Sequence, residues 1–183
     1  MKRLLIPVFI ILFALPSFGQ RFITKTGNIS FFSDAPLEKI EAKNDQVNCA
    51  LDTQSGFFVV QVLMRSFVFE KALMQEHFNE EYVESDRYPT AVFKGKVQNM
   101  QQINFSKPGT YPAVIVGQMT IHGHTQQVKA TGSFTISKDL INASAKFPIK
   151  LANYGISIPS IVAGKIADEL EINTDFQLKP LKH

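Results

Sequence analysis

The sequence predicts a mainly β domain of about eight antiparallel strands, wound as a barrel or a sandwich. Three observations predict it. Apolar and polar residues alternate with period two along much of the chain, the pattern of strands with one buried face. The clearest alternating segments follow one another directly, joined by short polar breaks as in antiparallel sheet. Stability must also come from an apolar core: Cys49 is the only cysteine, so no internal disulfide forms, and phenylalanine occurs 16 times while tryptophan is absent.

Residues 1–19 read as an export signal. Lys2 and Arg3 precede an apolar run from Leu4 to Leu15, and Ser17 and Gly19 put small residues where a signal peptidase cuts. The run is too short for a good membrane span, no cysteine follows it to carry a lipid anchor, and no second spanning run appears. The expected location is therefore periplasmic or otherwise exported, with no stable membrane insertion. Cleavage before Gln20 leaves 164 residues, the length of one domain over 20–183, and lowers the formal charge from +3 to +1. That near-neutral balance offers no footprint for nucleic acid or an anionic membrane.

The elements follow in order. "GNISFF" turns Ile29 and Phe31 inward, and "QVNCALD" turns in Val47, Cys49 and Leu51. "FFVVQVLM" (57–64) is apolar on both faces, which predicts one face in the core and the other under a covering element. "EKALMQEHFNEEYV" sets Leu73, Met74, His77, Phe78 and Tyr82 at helical spacing, a helix over about 70–82 ended by "SDRYP", since Pro89 disfavours helix at Tyr88. "AVFKGKV" sets Ala91, Phe93 and Val97 against Lys94 and Lys96, and "YPAVIVGQMTI" turns in Ile115, Met119 and Ile121. "QVKATGSFTI" turns in Val128, Ala130, Gly132, Phe134 and Ile136, and "LINASAKFPIKL" turns in Ile141, Ala143, Ala145, Phe147 and Ile149. "PSIVAGKIADEL" predicts a short helix around 160–167 with Ser160 as N-cap. Finally, "ELEINTDFQL" faces Leu170, Ile172, Thr174, Phe176 and Leu178 inward.

Two stretches carry a resemblance. "LMQEHFNEEYVESDRYPTAVFKGKV" (Leu73 to Val97) ends a helix in an acidic, aromatic segment and starts a strand with Tyr88-Pro89-Thr90-Ala91-Val92-Phe93. "GQMTIHGHTQQV" (Gly117 to Val128) is a hairpin with Met119 where the pattern has leucine and His124 at a variable position. In order, spacing and strand content the chain resembles the YceI-like family of exported bacterial proteins. The resemblance implies an eight-stranded antiparallel, lipocalin-like β-barrel with a long apolar pocket. It also implies an apolar ligand, because characterised relatives bind polyisoprenoids, including isoprenoid quinones.

Strand phase then nominates the wall of such a pocket: Phe31, Phe58, Val60, Val62, Phe93 and Ile115, with Met119, Phe134, Ala145, Phe147, Ile172 and Phe176. Small inward residues leave room and phenylalanines supply the wall, yet the same mixture fits a packed core of complementary sizes. Alternation alone does not separate the two. His122-Gly123-His124 reads as a hairpin turn, with His122 bonding nearby backbone at the barrel mouth. A metal site needs three or four ligands, and this pair is not a family ligand set, so no metal is expected. Nor is any cofactor expected beyond a bound isoprenoid lipid.

The chain has no Gly-x-Ser-x-Gly, no phosphate-binding glycine loop, no His-Glu-x-x-His and no inward pair of acids. Buried beside Val47 and Leu51, Cys49 reads as inert. No catalytic residue is assigned. The leading expectation is an exported, non-enzymatic carrier of an apolar amphiphile. The alternative is a filled barrel acting through its outer surface as an envelope interaction or stress protein.

Overall fold

Alternation with period two becomes nine strands. The structure, a computed structural model, describes residues 20–181, so the predicted export signal at 1–19 lies outside it. The strands are β1 (Arg21–Asp34), β2 (Lys39–Asp52), β3 (Phe57–Leu63), β4 (Val68–Phe69), β5 (Thr90–Val97), β6 (Gly109–Ile121), β7 (His124–Ser137), β8 (Leu140–Lys150) and β9 (Glu169–Pro180). Around the sheet the order is β1-β9-β8-β7-β6-β5-β3-β2, and β2 pairs back with β1. Eight antiparallel strands thus close a barrel, which removes every sheet edge but one. On that remaining edge β4 adds two residues to β2, pairing Ala42 with Phe69 and Lys43 with Val68.

Strand phase is as the alternation predicted. In β9, Leu170, Ile172, Phe176 and Leu178 are buried, while Glu169, Asp175 and Gln177 are exposed. The small residues have a packing reason: a Cβ on Gly132 would run into the Ser144 carbonyl oxygen of the neighbouring strand. Four connections gather at one end of the barrel (35–38, 64–89, 122–123 and 151–168), and the turns 53–56, 98–108 and 138–139 lie at the other.

The helix expected at about 70–82 is present: α1 (Ala72–His77) continues into one π-turn, Phe78–Tyr82, and none of its residues is fully buried. Two other elements differ from the sequence reading. Around 160–167 there is a single 3-10 turn, Ser160–Val162, with Pro159 at the N-cap position and no side-chain cap. Gly164 stops it, adopting φ +87° and giving its carbonyl to the Leu37 amide at 2.9 Å. Among the described residues no element covers the second apolar face of β3: Phe57 and Leu63 are 44% and 48% exposed. Its cross-strand neighbours on that face include Lys94 and Lys96, whose aliphatic stems suit an apolar strand surface that stays in water.

The core is not uniform along the barrel axis. At the end bearing 53–56, Phe22, Val47, Leu51, Ile136, Ile141 and Leu178 fill the interior, and Leu51 and Leu178 have no exposed surface. Ile103 of the 98–108 connection is buried there too. At about 1.5–3 kcal/mol for each buried side chain, these seven contribute on the order of 10 kcal/mol before chain entropy is counted. Toward the other end the barrel is hollow.

Candidate functional site

The hollow half is a chamber of about 490 Å³, within the ordinary size range of small-molecule sites. All twelve residues nominated from strand phase line it, from Phe31 on β1 to Phe176 on β9. Ala91, Ala113, Ala130, Gly132 and Ala143 also face it, and with Ala145 their small size is what leaves it empty. Val47, Cys49 and Leu51, inward by the same phase rule, do not border it; they belong to the filled half.

The chamber wall offers little but hydrocarbon. Its serine and threonine hydroxyls are already engaged: Ser33 Oγ accepts from the Ala167 amide at 2.8 Å, Thr174 Oγ1 accepts from the Ala145 amide at 3.1 Å, and the Ser133 and Ser144 hydroxyls pair at 3.2 Å. Thr174 also donates to the Ala145 carbonyl. A guest would meet area and shape rather than free hydrogen-bonding groups, so its affinity would scale with the apolar surface it buries.

At the open end Phe31, Phe67, Phe69 and Phe78 form an aromatic cluster. Phe31 stacks on Phe78 at 5.6 Å between ring centroids and meets Phe67 at 5.3 Å, while Phe69 and Phe78 are 5.0 Å apart. Spacings of this kind favour tilted and edge contacts between rings. Sequence phase missed Phe67 and Phe69 because "RSFVFE" is too short to show a period. Its one signal was two phenylalanines directly after a strand. Beyond the cluster, the rim becomes polar. Lys71 at the start of α1 donates to Glu38 Oε1 at 2.9 Å, bridging the 35–38 turn and the helix. This hydrogen bond holds the Glu38 carboxyl below its ordinary range and raises the Lys71 ammonium above its own. His77, Tyr82 and Lys165 complete that side of the chamber, and burial pushes the Tyr82 phenol up.

The two histidines divide. His122 and Gly123 form the two-residue β6–β7 turn with φ +49° and +75°, the signature of a type I′ hairpin. A Cβ on Gly123 would also press on the Tyr88 ring at 2.8 Å. His122 does not line the chamber; it is a tie. Its Nε2 meets Glu84 Oε2 at 2.7 Å and its Nδ1 meets the Tyr154 carbonyl at 3.2 Å. Tyr88 packs edge-on against the ring at 4.7 Å. One side chain therefore joins the 64–89, 122–123 and 151–168 connections. Both ring nitrogens face oxygen atoms of other connections. Glu84 is held at φ +44°, an uncommon conformation for a non-glycine residue. His122→Ala is expected to cost about 1–2 kcal/mol, discounted because Glu84 is 42% exposed. A double-mutant cycle with Glu84→Gln by urea denaturation checks it, and purely additive losses would show that the tie carries nothing.

His124 lies against Gly155 and its ring centroid is 6.1 Å from that of His122. Among the described residues no three His, Cys, Asp or Glu side chains gather closely enough to hold a metal ion. Cys49 is 3% exposed, and burial pushes its thiol well above the ordinary range. Native protein is expected to leave it unlabelled by a thiol reagent for as long as the barrel stays folded, with full labelling in denaturant. Fast native labelling, followed by absorbance, would contradict this packing.

Fold and chamber together define a closed antiparallel β-barrel with an internal apolar site at one end. The chain belongs to the YceI-like family: the family's domain model matches residues 18–178. Solved structures share the fold at low identity. A polyisoprenoid-binding domain from Saccharophagus degradans, implicated in plant cell wall breakdown, superposes with TM-score 0.77 at 12% identity, over 89% of this chain and 99% of that one. Burkholderia cenocepacia BcnA gives 0.67 at 14%, over 83% and 95%. The Campylobacter jejuni YceI protein gives 0.60 at 15%, over 78% and 85%. No curated protein matches by sequence.

Proposed function

We propose that this protein is an exported, non-enzymatic carrier that sequesters one apolar chain, a polyisoprenoid or isoprenoid quinone, in the hollow half of its barrel. The observation that carries the reading is the chamber itself, about 490 Å³, walled by hydrocarbon, with its serine and threonine hydroxyls already paired. The ligand class is supported by the likeness to the polyisoprenoid-binding domain of Saccharophagus degradans, and export by the pattern of residues 1–19. At about 0.8 kcal/mol for each buried methylene, ten buried carbons supply roughly 8 kcal/mol before the cost of association. No catalysis is needed. The barrel shields a water-insoluble tail from water, and its polar end sits at the rim with His77, Tyr82 and the Glu38–Lys71 pair.

Native mass spectrometry of the mature protein, purified gently from its own compartment, tests this. A stoichiometric mass increment that solvent extraction identifies as an isoprenoid supports the carrier. Protein that is empty as purified, and stays empty after incubation with a lipid extract, favours the interaction protein instead.

A further inference from the structure

The chamber has a floor. Phe58 of β3 lies 6.2 Å from Phe134 of β7 and 6.4 Å from Phe176 of β9, centroid to centroid, so three rings from three separate strands meet across the barrel. Phe105, from the connection 98–108, backs Phe134 at 6.0 Å. All three floor residues line the chamber, whereas Leu51, Val97, Ile136, Ile141 and Leu178 beyond them do not. The floor is therefore where the hollow half stops and the filled half begins.

Strand length gives the depth above it. On β8 the lining runs from Ala143 to Ile149 and on β9 from Phe176 back to Leu170, six steps, while on β6 it runs from Ala113 to Ile121, eight steps. At about 3.3 Å a step these make roughly 20–26 Å of strand, and a tilt near 40° turns that into about 15–20 Å along the axis. A trans isoprene unit advances about 5 Å over four carbon–carbon bonds of ~1.5 Å. At about 30 Å³ for each small heavy-atom group, the share of a water in the liquid, the chamber of about 490 Å³ holds roughly sixteen. Depth thus admits three to four isoprene units, and volume about three.

We propose that the phenylalanine floor makes the chamber a length gauge: Phe58, Phe134 and Phe176 stop an apolar chain after about three isoprene units. The protein then selects short-chain prenyl compounds, and holds longer ones only by the units that fit. This rests on the carrier reading above and adds its selectivity. Phe58, which touches both other rings, is the specificity-determining residue most open to change.

The test is displacement of a fluorescent fatty acid, parinaric acid, from the mature protein by geraniol, farnesol, geranylgeraniol and solanesol, presented identically. Wild-type affinity is expected to rise more than about tenfold from the two-unit to the three-unit alcohol, because those carbons leave water. Beyond the third or fourth unit it is expected to change by less than about threefold. Phe58→Ala and the milder Phe58→Leu should improve the ratio of variant to wild-type affinity for the longer alcohols over farnesol. That ratio cancels each alcohol's own solubility. If neither variant folds by circular dichroism, the wild-type series decides alone. Affinity that climbs steadily to solanesol overturns the gauge and leaves the carrier standing. Parinaric acid that binds but yields to no prenyl alcohol overturns the isoprenoid reading and the gauge with it.

Discussion

The Ala145→Trp protein is expected to fold and melt close to the wild type while binding its apolar ligand about a thousandfold more weakly. Ala145 sits on β8 in register with Gly132 and Thr174, and its side chain borders the chamber rather than the filled core. An indole placed there enters empty space, so the overpacking cost of a dense core does not arise. It stays buried in hydrocarbon and displaces about one isoprene unit of guest. Five carbons at about 0.8 kcal/mol are worth roughly 4 kcal/mol, or three powers of ten in affinity. Ligand displacement beside a thermal melt checks both halves. A variant that melts normally and binds normally would place the ligand outside the barrel.

Leu178→Ala is expected to do the reverse. Leu178 has no exposed surface, pairs with Ile141 on β8 and lies in the filled half. Removing its branched end leaves a cavity that close-packed neighbours cannot collapse, at a cost of about 3–5 kcal/mol and roughly 10 °C in Tm. Because the residue does not border the chamber, the folded fraction should bind within about threefold of the wild type. Urea denaturation and ligand displacement on the same sample separate the two effects. A loss of affinity matching the loss of stability would show that the halves are coupled.

The inward face of most strands was legible in the sequence, and for a physical reason. In β7, β8 and β9 one face meets hydrocarbon and the other meets water, so composition records orientation residue by residue. Position along the axis leaves no such record. Phe134 and Ile136 differ by one period, yet one borders the chamber and the other lies in the packed half. Level depends on register and strand tilt, which period two does not encode. The mouth was harder still. Phe67 and Phe69 come from a segment with two residues of strand, and the tie from His122 to Glu84 joins residues 38 positions apart. The turn at His122-Gly123 was readable from its glycine; its partners were not. On β3 the doubly apolar pattern predicted a cover, but composition does not say whether an apolar face is packed or merely tolerated in water.

Splitting the barrel into a filled half and a hollow half bears on how such a chain can drift. A substitution in the wall above Phe58 meets empty space, so selection on folding scarcely sees it, while one below the floor is screened immediately. Ligand preference can then wander under its own pressure without passing through unfolded ancestors. Solved structures keep the same barrel at 12–15% identity, so the fold itself tolerates wide change in sequence. The floor separates positions that folding constrains from positions it leaves free.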